Sequence, residues 1–354
     1  MDSTFTGDGS HAIEKELDSY FNRYISASKD ISMSYERLWV NLHKLIKSGG
    51  KRLRPKITLL AYEIFGGKHP DSVVSIAAAH ELLHFSLLIH DDIIDRDYMR
   101  YGVPNIAGRY QAFYQKHVTN DTDLVHYSHG AALLAGDLML AGAHELIAQS
   151  PVSAEKKQIA QNLLAQSIFD VAGGELLDTE ASFIPYTKGD AEKIALYKTS
   201  HYSFVIPLLT GAKLAVITAE QEAHLKDYAE ALGIAYQLVD DLLGVFGNEE
   251  TTGKSVLGDI REGKQTFLIE KAMERMPTED KILFNLAFGN PFATSELIHQ
   301  AKELLVSSGG KEITEKEIKK YKAKALLAAS ELRLPKAAED KLVHLVKITT
   351  DRDY

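Results

Sequence analysis

Cysteine is absent from all 354 residues, which excludes disulfides and thiolate metal ligands and leaves any metal site to oxygen and nitrogen donors. Proline is scarce at 9 residues, too few to break helices often. No alternating strand-like run bounded by turn residues stands out, and no uninterrupted apolar stretch reaches the roughly 18 residues of a membrane span. Neither a sheet protein nor a transmembrane segment is expected. Basic charge is in deficit too: a formal net charge of -9 argues against nucleic acid as a partner, because such a binder needs a basic face to neutralise phosphates. An anionic ligand must therefore be met by local basic clusters. The opening Met1-Asp2-Ser3-Thr4-Phe5 lacks the basic and apolar regions of a secretory signal, so a cytoplasmic location fits best.

What remains is helix-forming. Stretches rich in Ala, Leu, Glu and Lys, with apolar residues at i, i+3 and i+4, recur throughout and predict an all-α chain. Residues 1–10 are polar and contain Gly and Ser, and read as disordered. Helical patterns follow over 13–46, from near Pro55 to Phe65, and over 71–95, 105–117, 126–149, 154–180, 190–216 and 219–246, with Ser48-Gly49-Gly50 and Gly66-Gly67 as stops. A polar loop studded with Gly247, Gly253, Gly258 and Gly263 comes next. Further helices from Lys264 onward are separated near Pro291, Gly309-Gly310 and Pro335.

Two of these helices end on acid. The apolar run Leu83-His84-Phe85-Ser86-Leu87-Leu88-Ile89-His90 leads into Asp91-Asp92-Ile93-Ile94-Asp95, and a similar run ends on Asp240-Asp241. Asp91 and Asp95, four apart, share one helix face. An acidic triplet is ordinarily solvated surface, but a surface triplet would not continue a wall of Leu, Ile and Phe. Two such faces turned toward each other would make an oxygen-rich cage, and Mg2+ is typically shared between one or two carboxylates, waters and substrate phosphates. The basic counterpart is Gly49-Gly50-Lys51-Arg52-Leu53-Arg54-Pro55, a glycine-flanked turn able to bind pyrophosphate through charge-assisted hydrogen bonds.

With these motifs in this order, the chain resembles the trans-isoprenyl diphosphate synthases, or polyprenyl synthetase family, from about Leu45 to Thr266, and within them the geranylgeranyl diphosphate synthases. The resemblance implies a class I isoprenoid synthase fold of long antiparallel helices around a central active-site cavity. It implies a prenyltransferase that condenses isopentenyl diphosphate head-to-tail with an allylic diphosphate. Asp91, Asp92 and Asp95 match the family's first aspartate-rich motif and Asp240 with Asp241 the second, so these would hold several Mg2+ ions against the allylic diphosphate. Lys51, Arg54 and His84 match the isopentenyl diphosphate site, and Arg100 the arginine that grips the allylic diphosphate. Lys198, Thr199, Gln237, Lys254 and Lys264 match the remaining diphosphate contacts, Lys198 also counting with the catalytic group. A homodimer is implied as well. Since residues 51–100 and 198–264 must then converge on one pocket, residues 1–354 are expected to form a single domain.

Two departures from the family pattern stand out. Tyr101 occupies the position of a second arginine and cannot offer a cationic fork, so either its hydroxyl bonds substrate or another cation such as Arg52 compensates. The second motif reads Asp240-Asp241-Leu242-Leu243-Gly244 and lacks a final carboxylate. Product length should follow from residues before Asp91: Leu87 and Ser86 stand where bulky aromatics would close the tunnel early, with Leu83 a turn further down, so a geranylgeranyl or somewhat longer product is expected. Other readings are weaker. Gly253-Lys254-Ser255 has Asn248 where a phosphate-binding loop needs glycine. A class I terpene cyclase would have little use for Lys51, Arg54 and His84, and a non-catalytic partner subunit would be expected to have lost a motif.

Overall fold

The computed structural model describes residues 7–181, 183–184, 189–247 and 258–351. The chain divides into two compact units: one runs to Leu164 and takes up Thr210–Val216, and the other contains Ala165–Leu209 and the chain from Ile217 onward.

In the first unit the elements are α1 (Gly7–Ser28), α2 (Met33–Lys47), α3 (Leu53–Ile64), a 3-10 turn at Pro70–Val73, α4 (Val74–Ile94), strands β1 (Met99–Arg100) and β2 (Val103–Pro104), α5 (Ile106–Tyr114) and α6 (Asp121–Gln149). Helix α4 explains the arrangement. It is apolar on every side, which requires burial on every side, and it packs against α1, α3 and α6. The α4 stretch and α6 are each long and apolar enough to cross a membrane, but 72% of the α4 window is buried inside the protein, as in a core helix. Small residues on α6 let α4 approach closely: a methyl on Gly136 would overlap the His90 imidazole. Next to it Ser86 donates a hydrogen bond to the Gly136 carbonyl at 2.8 Å.

Several boundaries differ from the sequence reading, for local reasons. Residues 7–10, expected to be disordered, already belong to α1. The pattern over 13–46 is two helices, because the Ser32 hydroxyl accepts from the Tyr35 amide at 3.1 Å and starts α2 anew. Helix α3 begins at Leu53 rather than Pro55; a proline within the first turn has no intrahelical N–H to lose. Helix α4 gives way at Asp95, which is its C-cap. The chain is not wholly without strands: β1 and β2 form a two-residue antiparallel ladder, with Arg100 opposite Val103.

Helix α7 (Ala154–Ala181) continues the chain beyond Leu164 into the second unit, which then holds α8 (Asp190–Ile194), a π-helical segment (Ala195–Val205), the first turn of α9 (Ile206–Ala215), and α10 (Ala219–Phe246). Next come α11 (Gly258–Glu262), α12 (Phe267–Arg275), α13 (Thr278–Asn285), α14 (Ser295–Ser307), α15 (Gly310–Glu331) and α16 (Lys336–Thr350). Helix α10 is the core element. It starts with a reciprocal capping box between Thr218 and Gln221, and packs against α15 and the π-helical segment. Residues 190–216 are thus not one α-helix, and the stretch around Gly258, expected as loop, contains α11.

Candidate active site

The basic turn of the first unit is built around Arg52. Its guanidinium donates to Glu14 at 2.7 Å, to Glu81 at 3.1 Å, and to the carbonyls of Gly49 at 2.9 Å and Ile46 at 2.6 Å. Burial disfavours its charge, but Glu81 and Glu14 outweigh that and raise its pKa. A buried arginine so fully engaged is a structural post. This overturns Arg52 as the cation that compensates for Tyr101. Of the rest of the basic triplet, Lys51 is exposed and Arg54, in the first turn of α3, is half-buried.

His84, on α4, lies in the field of Arg54, Arg100 and Arg52. Burial, reinforced by these cations, pushes its pKa well below 6.5, so the imidazole is neutral and offers one N–H donor and one acceptor. Two turns on, Arg100 from β1 reaches back to the acidic end of the helix. Its Nε donates to Asp92 at 2.7 Å and an Nη to Asp91 at 3.1 Å. Asp92 is buried, and burial lifts its pKa to about 6 despite the arginine; Arg100 is raised in turn by the two carboxylates. Asp91 is half-buried and Asp95 exposed. The hairpin that carries Arg100 is fastened by buried Asn105, whose amide donates to the Asp97 carbonyl at 2.8 Å while its oxygen caps α5 at the Gly108 amide, 2.9 Å away. At the hairpin tip Tyr101 and Gly102 both have positive φ, 53° and 73°, the signature of a two-residue type I′ turn.

The tunnel residues read from the sequence are all on α4. Leu83 and Ser86 are buried, each 1% exposed, and Leu87 is half-buried. Ser86 is spent on the contact with α6 through its bond to Gly136.

In the second unit the π-helical segment presents Lys198 and Thr199. Such i to i+5 segments are uncommon and concentrate at functional sites. Two helix faces hold it. From α7, Gly174 lies against the Lys198 backbone so closely that a methyl there would overlap it. Beside Gly174, Glu175 and Asp178 clamp the Lys198 ammonium at 3.0 and 2.5 Å. Asp170 accepts from His201 Nδ1 at 2.8 Å. From α10, Gly233 gives room to Ser200, and Gln237 accepts from the Thr199 hydroxyl at 2.6 Å. Gln237 in turn donates to Asp241 at 2.8 Å, holding that buried carboxylate in place, whereas Asp240 is exposed. Lys264 pairs with Glu262 at 2.9 Å. Lys254 lies outside the described residues.

Glu175, Asp178, Asp170, His201 and Glu230 were not legible as site residues. The one available signal was the spacing 170, 174, 175, 178, which places Asp170, Glu175 and Asp178 on one face of α7; His201 and Glu230 gave none.

Among the described residues no three His, Asp or Glu side chains converge closely enough to hold a cation by themselves. The donors at Asp91 and Asp92, and at Asp240 and Asp241, are all carboxylate oxygens. Either pair by itself fits a hard dication whose remaining positions would be filled by diphosphate and water.

The polyprenyl synthetase family model matches residues 36–305. The geranylgeranyl diphosphate synthase of Sulfolobus acidocaldarius is 31% identical over 82% of this chain and 84% of its own. The geranylfarnesyl diphosphate synthase of Aeropyrum pernix is 30% identical over 93% and 96%. Among solved structures, a geranylgeranyl pyrophosphate synthase from Corynebacterium glutamicum, complexed with isoprenyl diphosphate and magnesium, superimposes with a TM-score of 0.88 at 29% identity, covering 97% of this chain and 99% of that one.

The His201 pair predicts a pH dependence of stability. Burial works against the imidazolium, but the Glu230 carboxylate 3.5 Å from Nε2 and the hydrogen bond to Asp170 outweigh it, so the folded pKa lies above 6.5. A raised pKa contributes stability that is complete below the unfolded value of about 6.5 and is lost as pH rises through the folded value. The gap in urea midpoint between wild type and His201→Gln should therefore be wide at pH 6 and narrow by pH 9. A gap that is constant or widens with pH would refute the assignment.

Proposed function

The chain belongs to the polyprenyl synthetase family, with its all-α class I isoprenoid synthase fold, and we propose that it joins isopentenyl diphosphate head-to-tail to an allylic diphosphate and releases pyrophosphate. The observation that carries this reading is the pairing of Arg100 with Asp91 and Asp92 beside Arg54 and His84, an acidic and a basic station toward one end of α4.

In this reading Lys51 and Arg54 fix the isopentenyl diphosphate by charge, and neutral His84 adds a hydrogen bond. Arg100 exchanges its carboxylate partners for the allylic diphosphate, and Lys198 does the same from Glu175 and Asp178. Divalent metal ions, when bound by Asp91, Asp92 and Asp95 and by Asp240 and Asp241, neutralise negative charge on the leaving group. Thr199, Gln237, Lys254 and Lys264 complete the diphosphate contacts. The C–O bond of the allylic substrate breaks with both electrons leaving on pyrophosphate. The double bond of isopentenyl diphosphate then attacks the carbocation, and loss of a proton to the released pyrophosphate restores an alkene. Preorganised cations stabilise the charge where it develops. No side-chain nucleophile is needed.

We read the chain as one family domain, because the matched residues 36–305 run through both units. A homodimer is proposed on α6, where Tyr127, Leu133 and Leu134 are 41%, 52% and 61% exposed on a helix otherwise made for burial. Sedimentation at micromolar concentration should show a dimer that Leu134→Glu dissociates; a monomeric wild type would refute the proposal.

Turnover of isopentenyl and geranyl diphosphate with Mg2+ tests the reaction. Asp91→Ala and Asp240→Ala should each lower kcat by about a hundredfold or more, with unchanged circular dichroism. Near-normal turnover in both would sink the mechanism.

Product length tests the tunnel. The wild type should make geranylgeranyl diphosphate or a somewhat longer chain. Leu87→Phe, one turn behind Asp91 on the same face, should shorten it. Ser86→Phe should instead lower the melting temperature, because its side chain is packed against the α6 backbone. A farnesyl product from the wild type, or an unchanged distribution from active Leu87→Phe, would move the tunnel floor elsewhere.

A further inference from the structure

Lys51 lies between two residues in the left-handed region: Gly50 has a φ of 99° and Arg52 one of 51°. Glycine takes such a value freely, whereas a long side chain takes it only under strain, and strain persists where the surroundings over-determine it. Arg52 meets that condition through its own guanidinium. Nε donates to Glu14, one Nη to Glu81 and the Gly49 carbonyl, and the other to the Ile46 carbonyl. Arg52 is also the N-cap of α3, so this clip fixes how the chain enters the helix that carries Arg54. Of the four acceptors, Glu14 is the one supplied by α1, which precedes the residues 36–305 matched by the family model. Helix α1 is fastened elsewhere by two further acids. Glu16 accepts from the Ser75 hydroxyl on α4 at 2.7 Å, and Asp18 pairs with His43 and Lys47 on α2 at 2.7 and 2.6 Å. Glu14 is the acid of the three that reaches the glycine turn.

We propose that Glu14 is a positioning residue for isopentenyl diphosphate: by holding Arg52 it keeps the strained turn in the one arrangement that presents Lys51 and Arg54 together. The inference rests on the substrate reading given above and brings α1 into the machinery which that reading uses. A preorganised turn binds more tightly because less ordering remains to be done when the ligand arrives. Charge alone would act in the opposite sense, since a carboxylate near a diphosphate repels it. That repulsion is weak here, because the Glu14 side chain is 42% exposed and its field is screened by water and salt, while the restraint on Arg52 is not. Removing Glu14 should therefore weaken substrate binding, although it removes a negative charge.

The test is steady-state kinetics of the full-length chain with Mg2+, varying isopentenyl and geranyl diphosphate in turn. Glu14→Ala should raise KM for isopentenyl diphosphate about fivefold, with kcat and KM for geranyl diphosphate within about twofold of wild type. Glu14→Gln keeps an acceptor for the Arg52 Nε and should return KM to within about twofold of wild type. Glu16→Ala cuts a different tie of α1 and should leave KM for isopentenyl diphosphate within about twofold. The proposal is overturned, and the substrate reading left intact, by an unchanged or lowered KM in Glu14→Ala or by an equal rise for both substrates. It is overturned likewise by the same rise in Glu16→Ala, which would reduce Glu14 to one tether of α1, or by a Glu14→Gln no better than Glu14→Ala. Absence of turnover in the wild type overturns the substrate reading, and this role for Glu14 with it.

Discussion

Cations that would grip a diphosphate have to be kept in place when no diphosphate is there, and this constraint shapes both units. A guanidinium or ammonium withdrawn from water is costly unless a carboxylate accompanies it. Arg100 accordingly rests on Asp91 and Asp92, and Lys198 on Glu175 and Asp178. Arg52 goes further and gives itself wholly to Glu14, Glu81 and two backbone carbonyls. In the proposed reaction the first two pairs are the ones that would exchange their carboxylates for diphosphate. The third is permanent, and makes the glycine turn a fixed base for Lys51 and Arg54.

Close backbone approach is the second theme, and it follows from small residues placed where helices meet. Gly136 admits His90 between α4 and α6, and Gly174 and Gly233 hold the π-helical segment from its two sides. The polar links then have short distances to cover. Thr199 to Gln237 to Asp241 is a chain of two hydrogen bonds that passes the position of the segment on to a buried carboxylate. Ser86 shows the same economy in α4, where a hydroxyl fills the space that an aromatic side chain could not.

Much of this was legible in the sequence, because it is local. Helix type follows from period, and the acidic and basic motifs declare themselves by residue type and spacing, so the all-α architecture and the candidate residues from Lys51 to Lys264 could be named without coordinates. Partnerships at long range could not. Nothing in Lys-Arg-Leu-Arg says that Arg52 turns inward toward Glu14 and Glu81, and nothing in the run before Asp91 says that Ser86 bonds the α6 backbone. The stripe of Asp170, Glu175 and Asp178 has helical spacing but no visible addressee until Lys198 and His201 are folded against it. The π-helical stretch was invisible because hydrophobic period does not distinguish one extra residue per turn from an α-helix over so short a span.

That stretch makes chain length between Asp190 and Ile206 a structural variable in its own right. A π segment is an α-helix that has absorbed surplus residues. Deleting one residue between Ala195 and Val205 would let it shrink toward ordinary α geometry and swing the preceding side chains by roughly 100° about the axis. Lys198 would then point away from Glu175 and Asp178, and Thr199 away from Gln237. Along this segment natural variation should accordingly favour exchanges of residue type over changes of length, and a gap here would signal a different arrangement of the ligand-facing cations rather than a shortened loop.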